Sequence, residues 1–583
     1  MPKNIILCSD GTGNSGGKGY GTNVWRLYKA IDLHHSQAQV SIYDDGVGTR
    51  NFVLFKLLGG AFGWGLKRNI KRLYKFIVVQ YEPGDDIFFF GFSRGAHTVR
   101  MVAGMLCRSG LVDRRQCASE KELDERIGEA YNAFVKCFAD NKRRLEPHSG
   151  TPEDQTQYLN KAMKPAEEPV ELTRFRAQEY VMLDIPIKFI GVWDTVHAVG
   201  VPFDELREGL DLFKRVAILD KTLHPLVRYG CHALSIDDQR HTFHPVLWNQ
   251  SQHLPEQTIE QVWFAGVHSN VGGGYPKDEM ALVSLNWMMA KARGQGVEFI
   301  GDLWEGYRRE ANVHSKLYDS RAGLAAYYRY LPRDIKKICL DQGIPQAKIH
   351  VSVFDRIQRA TEGYAPFNLP DDFVLAKADE NDASGFDASL INSYTAERSL
   401  DPNRAKLLGK IWDLVWVKRW LYILTLTATG FLIYVLYWLD SQPAPARSSE
   451  LYIVGWVFTA LGWLLPNVLN DALDALRSNP WWLLLFAAIF GVLVGLTKRV
   501  DRRICNVSNA GWRYVFENHR QQAHVTFGPF ESFVLDLAWR LRNSWLSRRV
   551  MPFVKSWIMP RLALIAVTAL LVWLFWKGIS VRE

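Results

Sequence analysis

The segment Gly91-Phe-Ser-Arg-Gly95 sets a serine between two glycines, directly after the apolar run Asp86-Ile-Phe-Phe-Phe90. Behind it Ala96, Val99, Val102, Ala103 and Leu106 recur at helical spacing. A strand that turns abruptly into a helix around Gly-x-Ser-x-Gly pushes the serine hydroxyl out of the sheet. It also aims the free N–H groups of the helix start at a developing negative charge. The chemistry this suits is nucleophilic attack by Ser93 on an acyl carbon, with the backbone N–H of Arg94 stabilising the oxyanion.

A serine hydroxyl is a weak nucleophile until a histidine takes its proton, and that histidine needs an acid to fix its tautomer. After a nucleophile elbow the expected chain order is Ser, then Asp or Glu, then His. Ile187-Lys-Phe-Ile-Gly-Val-Trp-Asp194 ends a strand-like run in a carboxylate, and Gln261-Val-Trp-Phe-Ala-Gly-Val-His268 ends another in a histidine that opens a glycine-rich loop. Ser93, Asp194 and His268 are therefore the expected catalytic residues. Fifteen histidines leave alternatives. His97 sits one helical turn past the serine, where packing or local capping is the simpler role, and His197 follows Asp194 too closely to bridge it to Ser93. His241 and His244 form a His-x-x-His without further ligands at metal spacing. Asp237 and Asp238 also follow a strand-like run and are the reserve acids.

The N-terminal strand Asn4–Ser9 runs into Asp10-Gly-Thr-Gly-Asn-Ser-Gly-Gly-Lys-Gly19. The spacing Gly11-x-Gly13-x-x-Gly16 matches a dinucleotide fingerprint, but that site needs its third glycine to open a helix and an acid about 20 residues on. Here glycines continue to Gly21, Asp10 would face the phosphates, and Asp44 and Asp45 come too late. A Walker loop fails because Gly19 follows Lys18. The loop is better suited to supply the second oxyanion donor, from the backbone of Gly11 or Thr12. No metal or organic cofactor is expected.

These side chains need a frame. Short apolar runs at Asn4–Ser9, Val40–Tyr43, Asp86–Gly91, Ile187–Trp193 and Gln261–Gly266 alternate with helical stretches such as Asn23–Asp32 and Leu66–Tyr81. Strands apolar on both faces, spaced by helices, make an α/β domain with a buried, mostly parallel sheet over residues 1–400. Residues 112–184 interrupt it with a charged helical insertion suited either to a cap or to a solvated excursion.

From residue 401 onward the composition changes. This third carries 21 Lys+Arg against 11 Asp+Glu, so the positive excess of a chain whose net charge is +9 lies here. Trp420–Leu439 is an uncharged run of the length a bilayer core of about 30 Å requires. Further apolar runs cover 451–465, 481–497 and 562–576, with Trp and Tyr at their ends. A membrane region is expected, with 420–439 and 481–497 crossing as a pair and 451–465 re-entrant or interfacial. Residues 529–546 show an amphipathic pattern near Arg540, Arg542, Arg548 and Arg549, which suits an anionic membrane surface or ordinary helix packing equally. Seven scattered cysteines with no Cys-x-x-Cys suit a reducing compartment. Strand-like residues begin at Asn4, so no secretory signal is expected.

The blocks Ser9-Asp-Gly-Thr12, Gly46-Val-Gly-Thr49, Gly91-Phe-Ser-Arg-Gly-Ala96, Gly191-Val-Trp-Asp-Thr-Val196, His232-Ala-Leu-Ser-Ile-Asp237 and Gly266-Val-His-Ser-Asn-Val-Gly-Gly-Gly-Tyr275 resemble a bacterial α/β-hydrolase family. That family was long labelled a domain of unknown function and includes the phospholipase effectors of type VI secretion systems. The likeness extends weakly to about residue 370, with Gly13 where the family commonly has tryptophan. It implies a serine lipase or phospholipase with Ser93, Asp194 and His268 on the catalytic positions. The expected function is a membrane-anchored serine hydrolase of phospholipid acyl esters. A scaffold or toxin subunit whose hydrolase-like domain binds a partner, and an esterase of soluble substrates, are the rivals. Membrane lipids are the expected partners, as substrate and anchor. A secretion or immunity protein, or a second copy, are further candidates; nucleic acid is not. The expected location is the bacterial inner membrane, catalytic domain on the cytoplasmic side, unless the chain is delivered to a target cell.

Overall fold

The computed structural model describes residues 2–11, 20–34, 38–46, 60–145, 169–197, 221–251, 254–370, 372–376, 402–440, 480–516, 525–545 and 547. They fall into two units, Met1–Leu400 and Asp401–Val550.

The apolar runs of the first unit become the strands β1 (Asn4–Ser9), β2 (Gln39–Asp44), β3 (Asp86–Phe92), β6 (Ile187–Trp193), β7 (Val227–Ser235), β8 (Thr258–Phe264), β9 (Ala347–His350) and β10 (Phe373–Ala376). They form one sheet in the order β10-β9-β8-β7-β6-β3-β1-β2. Every neighbouring pair in it is parallel. A parallel sheet is covered on both faces, which is why Phe88, Phe89 and Phe90 are all fully buried. Each such side chain contributes about 1.5–3 kcal/mol on leaving water.

One face is covered by α2 (Gly60–Gln80) and α3 (Arg94–Ser109), which join Ile5, Leu7, Ile87 and Phe89 in one apolar cluster through Ile70, Tyr74, Val99 and Leu106. The opposite face carries α1 (Asn23–Ala30) and α7 (Glu279–Gly294), with α8 (Gly301–Glu310) packed on α7. There Trp287 packs edge-on against Phe264, and a Cβ on Gly191 would lie 2.6 Å from Met288 Sδ. The chain leaves β1 for β2 on one side and returns to β3 on the other. That reversal falls at the carboxyl ends of β1 and β3, the usual ligand position in such sheets.

The expected insertion is closed at its base by an antiparallel pair, β4 (Leu111–Val112) with β5 (Val181–Met182). Within it, α4 (Glu120–Leu145) packs on α2 and α3, with Phe134 against Gly104, and α5 (Val170–Arg176) packs on α4. Residues 146–168 lie outside the described residues.

The second unit contains α9 (Pro402–Asp440), α10 (Pro480–Phe516) and α11 (Pro529–Asn543). The first two run antiparallel, with Lys418 on Asp501 at 2.5 Å and Phe431 against Phe486. α11 is tied in by Arg503–Glu531 and Arg542–Asp413. The expected membrane crossings are not supported: among the described residues no helix is long and apolar enough to span a bilayer. Thr425, Thr427, Thr429 and Gly430 dilute the apolar run of α9, the three hydroxyls donating to carbonyls one turn earlier. In α10 the charges Lys498, Arg499 and Asp501 cut the run short. The runs 451–465 and 562–576 lie outside the described residues.

Candidate active site

Ser93 occupies the corner between β3 and α3 with φ 58° and ψ −118°, a left-handed conformation that costs a non-glycine residue about 1–3 kcal/mol. The strain is held from three sides. Its N–H extends the sheet ladder onto Trp193 O at 3.0 Å. A Cβ on Gly91 would meet the backbone of Ala96 at 2.7 Å, and one on Gly95 would meet Ser9 O at 2.1 Å. Only glycines let the helix start pass this close to the end of β1.

Asp194 follows β6, itself at φ 40°, with its N–H on Ala233 O at 2.8 Å. His268 opens the short helix α6 (His268–Gly272) after β8. Its N–H donates to Asp238 Oδ2 at 3.3 Å, and its ring lies between Phe92 and Phe243 at centroid distances of 4.7 and 5.1 Å. Three strand ends thus bring together side chains that are 74 to 175 positions apart. His268 Nδ1 lies 2.5 Å from Asp194 Oδ2, and Nε2 lies 2.8 Å from Ser93 Oγ. A carboxylate can only accept, so Nδ1 carries the proton and Nε2 is left to accept from the serine hydroxyl.

The electrostatics agree with that tautomer. Burial pushes the His268 pKa below the ordinary histidine value, against the pull of Asp194, so the resting imidazole is neutral and can accept a proton. Burial would raise the Asp194 pKa, but Arg333 and His268 outweigh it and hold the carboxyl far below its usual range.

Arg333 has no counterpart among the expected site residues. It is fully buried and grips Asp194 with both terminal nitrogens, Nη1 to Oδ1 at 2.7 Å and Nη2 to Oδ2 at 2.8 Å. Ser235 adds its N–H to Oδ1 at 3.0 Å and its hydroxyl to Oδ2 at 3.3 Å.

The oxyanion donors are placed unevenly. Arg94 is the first residue of α3, as expected. The Gly11 N–H, expected to face an oxyanion, instead donates to Asp10 Oδ1 at 2.6 Å, because Thr22 and Tyr43 fix that carboxylate through Oδ2 beside it. Thr12, Gly13 and Gly16 lie outside the described residues.

Among the alternatives, His244, Asp237 and Asp238 are engaged elsewhere. His97 is fully buried, and burial pushes its pKa down to about 3. His197 is half-buried. His244 contacts Leu331 O through Nε2 at 2.9 Å and meets His241 edge-on; no group of metal-ligating residues forms among the described residues. Asp238 pairs with Arg240 at 2.6 Å. Asp237 accepts from Gly266 N–H at 2.6 Å and from the Tyr364 hydroxyl at 2.9 Å, and burial pushes its pKa up to about 6.

Residues 3–291 match the family model described as type VI secretion, phospholipase effector Tle1-like, catalytic domain. This segment belongs to that family. The Tle1-like segment contains all three residues of the Ser93, His268, Asp194 cluster and stops 42 positions short of Arg333. The chain is also similar to the uncharacterized protein YEL023C of Saccharomyces cerevisiae, 28% identical over 267 residues, which is 44% of this chain and 34% of that protein. The match thus spans about a third of the yeast relative. A crystal structure of an uncharacterized protein from Pseudomonas aeruginosa aligns over 94% of this chain and 63% of that one, at 14% identity and a TM-score of 0.29.

Proposed function

We propose that the chain is a serine hydrolase that cleaves acyl esters of phospholipids through Ser93, His268 and Asp194. The observation that carries this reading is the hydrogen-bonded relay from Ser93 Oγ through His268 to Asp194 at a strained elbow. The Tle1-like family match supports the substrate class.

In the proposed reaction Ser93 Oγ attacks the acyl carbonyl carbon while His268 Nε2 takes the hydroxyl proton, and Asp194 holds the imidazolium through Nδ1–H. The Arg94 N–H faces the oxyanion. Collapse breaks the ester C–O bond, and His268 returns the proton to the departing alkoxide oxygen. Water then attacks the acyl-enzyme, giving its proton to His268 and releasing the fatty acid, and the proton passes back to Ser93. No metal enters any step.

We further propose that the second unit holds the site at a lipid surface from outside the bilayer core. On α11, Phe530, Phe533 and Leu537 lie along one exposed face, and Phe530 is 79% exposed. Leu535 and Ala538 on another face are buried, so the apolar stripe points away from its own unit. Arg540 flanks that stripe, suiting anionic headgroups. Delivery as a type VI effector is the route the family description suggests.

The test is product analysis. Purified protein incubated with mixed anionic vesicles is expected to release fatty acid and lysophospholipid, and Ser93→Ala is expected to release neither. Equal release by the variant would remove the proposal.

A further inference from the structure

We infer that Arg333 is a positioning residue of the proposed relay, its guanidinium clamping Asp194 so that one carboxylate serves the cation behind it and the imidazole in front. The inference rests on the Ser93, His268, Asp194 reading and extends it to a residue outside the family-matched segment.

The guanidinium is built into place. Besides both oxygens of Asp194 it donates to Ser235 O and Phe243 O, each at 2.5 Å. The segment that carries it crosses the loop after β7, with Leu331 N–H on Gln239 O at 2.9 Å and His241 N–H on Arg329 O at 3.0 Å. Asn368 then caps Arg333 O at 3.1 Å. A planar, two-pronged grip fixes the plane of the carboxylate as well as its position, which a lysine ammonium cannot do.

A purely structural role accounts poorly for the charge. Asp194 already accepts from the Ser235 N–H, the Ser235 hydroxyl and His268 Nδ1–H, so its oxygens have hydrogen-bond partners without a cation. Burying a guanidinium as well is costly unless it does something further. What it adds is a positive charge behind the acid. When His268 takes the serine proton, the site holds an imidazolium and a guanidinium on one carboxylate, so Arg333 opposes protonation of the imidazole. His268 therefore stays neutral to lower pH and surrenders its proton more readily to the leaving group. The other charged or titratable groups facing the pair are Asp238 with Arg240, Asp237, and His232, which accepts from Thr195 N–H at 3.0 Å. All are present in every variant below.

The experiment uses the full chain and a soluble short-chain p-nitrophenyl ester, so that lipid binding does not enter. The readouts are kcat and KM from pH 4 to 9 for wild type, Ser93→Ala, Arg333→Met and Arg333→Lys, with thermal unfolding to verify folding. Arg333→Met is expected to lower kcat by about 10²-fold or more with KM little changed, since the acid loses its aim. It is also expected to move the acidic limb of kcat/KM upward by about one pH unit. Both consequences of losing the cation act in that direction: the imidazole becomes easier to protonate, and so does a buried Asp194. Arg333→Lys is expected to return the limb to the wild-type position while kcat stays about tenfold low, because the charge is back but the fork is not. A Met variant whose profile overlays wild type, or is scaled down with the limb unmoved, overturns the inference. If the Met variant does not accumulate as folded protein, Arg333→Lys decides: wild-type kcat overturns the inference, and a tenfold loss with an unmoved limb upholds it. Turnover by Ser93→Ala in the same assay would remove the triad reading itself, which is a separate outcome.

Discussion

Gly95 and Ser9 meet where the first turn of α3 crosses the end of β1, so closely that a Cβ on Gly95 would come within 2.1 Å of the Ser9 carbonyl oxygen. The contact is with backbone on both sides, and neither the strand nor the helix can retreat without dragging the nucleophile. Gly95→Ala is expected to cost about 3 kcal/mol or more of stability, as overpacking against rigid neighbours does. Chemical denaturation of the variant beside wild type measures this. Whatever folds should have lost turnover, because the elbow that aims Ser93 has moved.

Asp194→Asn should injure both catalysis and the fold. The amide can present its NH₂ to His268 and select the wrong tautomer, so kcat should fall by about 10⁴-fold. It also strips a buried guanidinium of its counter-charge, a change that typically costs about 3–5 kcal/mol. Steady-state kinetics and urea melts read the two effects separately. A folded variant with ordinary stability would contradict the fully buried pair of Arg333 and Asp194.

The pH dependence has a definite sign. Only the neutral imidazole can accept the Ser93 proton, and burial holds the His268 pKa below its usual value of about 6.5. The acidic limb of kcat/KM for wild type should therefore lie below pH 6.5, with full activity through neutrality. A limb above that pH would show that Asp194 outweighs burial.

Asp237 sets the opposite case. Its folded pKa is raised to about 6 by burial, so its contribution to stability is present below the unfolded value and is lost as pH rises through about 6. Asp237→Asn keeps an acceptor for the Gly266 N–H and removes the charge. Its Tm should exceed that of wild type by about 2–4 °C at pH 8 and match it at pH 4, measured by scanning calorimetry.

The exposed stripe of α11 makes a separate, non-catalytic prediction. Replacing Phe530, Phe533 and Leu537 together by serine should lower co-sedimentation with anionic vesicles by at least about tenfold, since each large apolar side chain contributes about 1.5–3 kcal/mol when buried. Turnover of a soluble ester should not change.

How much of this was legible in the sequence depends on how local each signal is. β6 begins and ends where its pattern does, at Ile187 and Trp193, because an all-apolar run closed by a carboxylate is a complete local statement. β8 starts earlier than its apolar core, at Thr258, and ends at Phe264 before the turn at Gly266, whose φ is 111°. β7 showed only as a strand-like stretch leading to Asp237, since Arg228 and Tyr229 blur its start. The elbow and its partners were legible because the chain order of a nucleophile, acid and base follows from where strands end. Arg333 was not: its partner lies 139 positions upstream, and no spacing marks an arginine destined for a buried carboxylate. The Gly11 N–H meets the Asp10 carboxylate, a contact no sequence pattern announces, because glycine-rich sequence reports only the freedom of the backbone. The membrane crossings were read from runs without charge, where threonines and a glycine weigh against insertion.

The central claim is that the Ser93 hydroxyl is made reactive by His268 and Asp194, and covalent labelling tests it most directly. The full chain is treated with a fluorophosphonate probe at neutral pH, and the adduct is located by peptide mass spectrometry. One adduct per chain on Ser93 is expected, lost in His268→Ala while that variant remains folded. A folded wild-type protein that takes no adduct on Ser93, or that labels equally well without His268, would contradict the account.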